Sequence, residues 1–123
     1  MSRLLIAGAV LMAASAGGAA AGDAQGEWLR ENGAAKVRIV PCGEALCGAI
    51  VWLRDSTGPA KVGKQVFFAM RRHGENAWTG SAFRPEDGKT YSGRMTLSGD
   101  RLVTAGCMLG GLVCKSVAWT RVR

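Results

Sequence analysis

The 123-residue chain is poor in the groups that most enzymes rely on. It has one histidine, His73, placed in the polar run Arg71-Arg72-His73-Gly74-Glu75-Asn76. A turn there leaves the imidazole solvated rather than held as a general base. Neither Ser92 nor Ser116 has a G-x-S-x-G setting, so a strained nucleophile elbow is not encoded. Glu86 and Asp87 are neighbours in a turn, where they are expected to diverge instead of pairing as acid and base. No C-x-x-C is present, which removes the thioredoxin type of redox site. The chain also lacks an amphipathic helix of useful length, an internal repeat and a second domain. These absences point away from catalysis: no catalytic residue, metal or cofactor is expected.

Long apolar runs are scarce too, and the one present is at the start. Arg3 and the run Leu4 to Met12 form a short charged and apolar leader, followed by small residues from Ala13 to Ala21. Ala19-Ala20-Ala21 fits an A-x-A cleavage site, with Gly22-Asp23-Ala24 as a second candidate. The run is too short, and its far end too rich in Gly and Ala, for a membrane anchor. The first cysteine is Cys42, so there is no lipobox. The expectation is a cleavable signal peptide over residues 1–21, then a single domain over residues 22–123. The mature protein is then periplasmic or secreted, with no integral membrane span.

Losing Arg3 with the leader leaves fifteen basic residues against nine acidic ones. Such a balance could suit nucleic acid, anionic lipid or acidic polymer. The basic residues are scattered, however, and only Arg71 and Arg72 adjoin. No basic face interleaved with aromatics is visible, so nucleic acid is not an expected partner.

What the mature chain does have is short strands and turn chemistry. Val37-Arg38-Ile39 alternates with period 2, and Pro41 suits a strand end because it lacks an N–H. The loop Gly43-Glu44-Ala45-Leu46 then returns the chain as Ala49-Ile50-Val51-Trp52-Leu53, setting Cys42 and Cys47 face to face. Further strands are expected at Gly26–Leu29, Gln65–Met70, Ala77–Arg84, Thr90–Leu97, Arg101–Cys107 and Val113–Arg121. Turn signals such as Pro85-Glu86-Asp87-Gly88 separate nearly all of them. Eight short strands with short connections give an all-β, antiparallel up-and-down meander. Closure into a barrel hides its edges, and a barrel of eight holds packed side chains or one small ligand.

In an oxidising compartment four cysteines argue for disulfides, and three pairings are open. Cys42–Cys47 and Cys107–Cys114 are preferred because each pair brackets its own turn. Loops this short contribute only about 2 kcal/mol each. Zinc is the rival, but C-x4-C and C-x6-C with a single histidine are unlike the usual knuckles.

The run Val37-Arg38-Ile39-Val40-Pro41-Cys42-Gly43, with Leu46-Cys47-Gly48 and Ile50-Val51-Trp52, resembles the domain of unknown function 2147 family. Trp78-Thr79-Gly80, Pro85 to Tyr91 and Trp119-Thr120-Arg121-Val122 extend the resemblance over nearly the whole mature chain. The resemblance implies a small exported bacterial protein with a lipocalin/calycin-like barrel. It also implies a structural signature: Gly26-Glu27-Trp28 looks like the G-x-W of a first lipocalin strand. Trp119 and Arg121 then belong to the last strand, whose arginine covers that Trp and closes one barrel end. One departure concerns the segment after Trp52-Leu53, usually longer and rich in Asp, Asn and Pro. Here only the loop Arg54 to Gly63 stands there.

Trp52, Phe68, Trp78, Tyr91 and Met95 are the candidate lining of a pocket for a small apolar ligand. The function expected is therefore a non-catalytic lipocalin-like carrier. The alternative is a cell-envelope interaction module whose packed barrel presents a basic surface to a protein or an anionic polymer.

Overall fold

A computed structural model describes residues 23–123; the expected leader over residues 1–21 lies outside the described residues. Eight strands follow one another: β1 (Gly26–Arg30), β2 (Ala35–Cys42), β3 (Ala45–Leu53), β4 (Gln65–Arg72), β5 (Ala77–Arg84), β6 (Lys89–Ser98), β7 (Arg101–Met108) and β8 (Val113–Arg121). Each pairs antiparallel with the next, and β8 returns to β1 with Arg121 opposite Trp28. The sheet is a closed barrel with no free edge. Among the described residues no helix is long and apolar enough to cross a membrane.

Period-2 alternation sets the wall. On β2, Ala35, Val37 and Ile39 are buried while Arg38 and Val40 face out; on β6, Gly93, Met95 and Leu97 are buried while Arg94 and Thr96 face out. The two barrel ends differ. One gathers the turns at 43–44, 73–76 and 99–100 with the entering segment 23–25, and is packed with the buried side chains of Trp28, Ile39, Met70 and Met95. The other carries the connections at 31–34, 54–64, 85–88 and 109–112.

The filled end is built around Trp28, which is fully buried and donates its indole N–H to the Ala24 carbonyl at 2.9 Å. Arg121 lies over the indole face, 4.4 Å from its centroid. Its guanidinium donates to the carbonyls of Gln25 (3.0 Å) and Asp23 (2.9 Å) and meets Asp100 at 3.2 Å. Gly26 is needed there twice over. Its φ is +129°, and a Cβ would stand 3.3 Å from Arg121 Nη1.

Three details depart from the sequence expectation. Cys42 pairs with Ala45, so the first hairpin turns on Gly43-Glu44 alone, with Gly43 at φ +68°. Cys42 and Cys47 are therefore diagonal neighbours rather than face to face. They are bonded across a Cα separation of 5.8 Å, whereas Cys107 and Cys114 stand directly opposite at 4.1 Å and are bonded too. The second departure is a bulge in β3. Lys36 pairs with Trp52 but Val37 with Ile50, which leaves Val51 unmatched and turns Trp52 outward. The third lies in β4, where shifts at Val66 and Ala69 break the alternation. Two consecutive residues, Val66 and Phe67, are buried as a result.

Candidate functional site

The loop-bearing end of the barrel is hollow. A cavity of about 710 Å³ opens to solvent there, within the size range of small-molecule sites. Its deep part is apolar, made by Val37, Ile50, Val66, Phe67 and Trp119, with Leu53, Ala82, Phe83 and Val117 higher on the wall. Phe67 and Trp119 meet edge to face, with ring centroids 6.3 Å apart. Gly48 makes room for the phenyl ring: a Cβ at that position would lie 2.8 Å from Phe67 Cδ2. Thr104 is the single buried polar side chain among the described residues. Its hydroxyl accepts the Trp119 indole N–H at 2.9 Å and donates towards the Val117 carbonyl at 3.5 Å.

The mouth is polar and organised by the turn between β5 and β6. Tyr91 donates its hydroxyl to Asp87, which also meets Arg84 at 3.3 Å and accepts the Lys89 backbone N–H at 2.9 Å. Glu86 reaches the same guanidinium at 3.7 Å. The two carboxylates thus converge on Arg84. The Tyr91 hydroxyl bond, joined by the Lys89 N–H and Arg84, holds the Asp87 carboxyl below its ordinary range. Reciprocally, the Asp87 carboxylate pushes the Tyr91 phenol up. A phenol whose ionisation is suppressed serves as a hydrogen-bond donor rather than as a base. On the far side, Arg54 donates to the Asn32 carbonyl at 3.1 Å, and Asp55 accepts both the backbone N–H and the hydroxyl of Thr57. Arg30 and Lys115 also line the cavity.

The sequence candidates separate on this map. Tyr91 lines the cavity mouth. Trp78 and Met95, opposite each other on β5 and β6, are buried in the packed half below it; Arg72 covers the Trp78 ring at 4.7 Å. Phe68 is half-buried outside the lining, because the β4 irregularity gives the inward position to Phe67. Trp52 is on the outer face with Lys36 Nζ 5.5 Å from its ring centroid, because of the Val51 bulge. Of the signature residues, Gly26, Trp28 and Arg121 build the filled end, while Trp119 also forms cavity floor. Phe67, Phe83 and Arg30 join the lining without being among the candidates that the sequence suggests. Arg30 was legible: it stands two residues from Trp28 on one strand, hence on the same face. His73 is exposed in its turn, where its backbone N–H bonds the Ala77 carbonyl.

Residues 26–121 match the family described as "Uncharacterized protein conserved in bacteria (DUF2147)". The chain belongs to this family. No curated protein gives a significant match. Among solved structures the chain is similar to the HP1028 protein of the human pathogen Helicobacter pylori, described as belonging to the lipocalin family. The two share 16% identity over 82% of this chain and 84% of that one, with a TM-score of 0.68. The likeness is one of fold: this DUF2147 member is an eight-stranded, lipocalin-like barrel.

Proposed function

We propose that this protein is an exported, non-catalytic carrier that holds a small apolar ligand in the open half of its barrel. The observation that carries the reading is the contrast between the two halves. One is filled by Trp28, Ile39, Met70 and Met95, each at most 1% exposed; the other leaves about 710 Å³ above a floor of Phe67 and Trp119. A folded domain that needed only stability would gain by filling such a space, since an unfilled apolar cavity forgoes dispersion contacts. The Tyr91–Asp87–Arg84 network gives the mouth a fixed polar rim beside the apolar interior.

Export draws support from the two disulfides, which suit an oxidising periplasm. In this reading the leader ends at Ala21. Asp23 and Ala24 supply carbonyls to Arg121 and Trp28, so cleavage after Ala24 would remove part of the barrel floor. The test is native mass spectrometry of protein purified from its own cell envelope. A bound small molecule is expected; a clean apo mass in every preparation overturns the reading.

The interaction-module alternative assumed a packed barrel, and the cavity removes that part of it. One observation favours a protein contact of another kind, apolar rather than through the basic surface expected from the sequence. Met108, Leu109, Leu112 and Val113 form an apolar lip at the open end, between 44% and 85% exposed. A protein contact through that lip predicts that Leu109→Ser with Leu112→Ser abolishes co-purification of an envelope protein while leaving ligand content unchanged. Unchanged co-purification rejects it.

A further inference from the structure

Two cations that line the cavity, Arg30 and Lys115, have neither a hydrogen-bonded nor an ion-pair partner among the described residues, while a third, Arg54, is held by the Asn32 carbonyl. Arg30 lies two residues beyond Trp28 on β1, so the pleat turns it inward; it is half-buried and opposite Trp119. Lys115 shares the inward face of β8 with Val117 and Trp119, nearer the mouth. Among the described residues neither has a hydrogen-bonded or ion-pair partner in its side chain's reach, whereas Arg38, Arg84, Arg101 and Arg121 each meet a carboxylate. Of the two carboxylates that border the cavity, Glu86 meets Arg84, and Asp55 accepts from Thr57 within the field of Arg54 and Lys61, so Arg30 and Lys115 are left over. The uncompensated charge inside is therefore positive. Arg30 is half-buried and Lys115 exposed, so both are hydrated in the open cavity; a ligand that covers them must supply an anion or leave them desolvated and unpaired.

We infer, building on the carrier reading above, that the ligand is an amphiphile with a single anionic head. The head pairs with Arg30 and Lys115, and the apolar body lies on Phe67 and Trp119. The planar fork of Arg30 suits either a carboxylate or a phosphate head. Lys115, more exposed, acts as a second point charge at the entrance.

The test titrates the mature protein at neutral pH with decanoate, decyl phosphate and the neutral decanol, which share one apolar chain. Decanoate or decyl phosphate should bind about tenfold or more tightly than decanol, as expected for charge-assisted hydrogen bonds in a partly dry site. The tighter of the two identifies the head. Arg30→Gln with Lys115→Gln should remove that advantage, bringing the charged chain to the affinity the same variant has for decanol. Lys115→Gln alone, at an exposed position, should lose part of it. Equal affinity for charged and neutral chains, or no change in either variant, overturns the anionic assignment while leaving the carrier reading in place. If none of the three binds, the carrier reading falls and this inference falls with it.

Discussion

At the scale of single residues, the most informative group is Tyr91. It is the chain's one tyrosine, so its ionisation can be followed without interference from other phenols. Its hydroxyl donates to Asp87, and that carboxylate raises the phenol above its ordinary value of about 10. The same bond, first among its causes, lowers Asp87. The signs give a bounded window. Asp87 is depressed in the fold, so its contribution is present above the unfolded carboxyl value of about 3.9 and fades as pH falls through the folded value. Tyr91 is raised, so its contribution is present below about pH 10 and fades as pH rises through the folded value. Ultraviolet titration of the folded protein should therefore show phenolate forming later than in the unfolded chain. Asp87→Asn should bring the midpoint back towards the unfolded one. An unchanged midpoint in that variant would mean that the bond does not hold the mouth turn in solution.

At the scale of the strand, the bulge in β4 shapes the barrel. Ala69 has φ +48°, a conformation that costs a residue with a Cβ roughly 1–2 kcal/mol. It is accommodated because Gly80 on β5 lies beneath: a Cβ there would be 2.6 Å from both the Phe68 and Ala69 carbonyl oxygens. Gly80 faces Gly93 on β6, which in turn faces Gly106 on β7, so three adjacent strands approach without side chains at this level. Gly80→Ala should displace the bulge and destabilise the fold by about 1–3 kcal/mol, the usual range for overpacking. Chemical denaturation measures this directly; a loss below about 0.5 kcal/mol would show that the backbone gives way freely.

This is also the scale at which the sequence is least legible. Strand order, closure and all eight strand positions follow from alternation and turn residues, because each strand buries one face and each turn has its Gly, Pro, Asn or Asp. Bulges leave no such mark. A strict period of 2 places Trp52 beside Ile50 inside the barrel, and only the unmatched Val51 reveals that it faces out. The same blindness selects Phe68 over Phe67. Trp78 and Met95 do face inward as the pattern implies, but alternation fixes the face and not the depth. Whether an inward side chain lies in the packed half or the hollow half depends on how far each strand runs past its neighbour. The sequence marks Trp119 by its place near Arg121, and its second role as cavity floor depends on that depth.

At the scale of the whole molecule, the barrel is a cup. Its base is sealed by Trp28 under Arg121, and its mouth is ringed by the Arg84 network and the short loop Arg54 to Gly63. The two disulfides bear on both ends: Cys42–Cys47 staples the hairpin at the base, and Cys107–Cys114 ties the strands that carry the lip. The proposed carrier function requires that something occupies this cup. The most direct test compares native mass spectra of the wild-type protein and Val117→Trp, both purified from the same envelope. Val117 is on the cavity wall, so an indole there fills space that a ligand would need. The wild type should carry an additional small-molecule mass that the variant lacks while remaining folded. Identical masses for the two, with no adduct on either, would contradict the account.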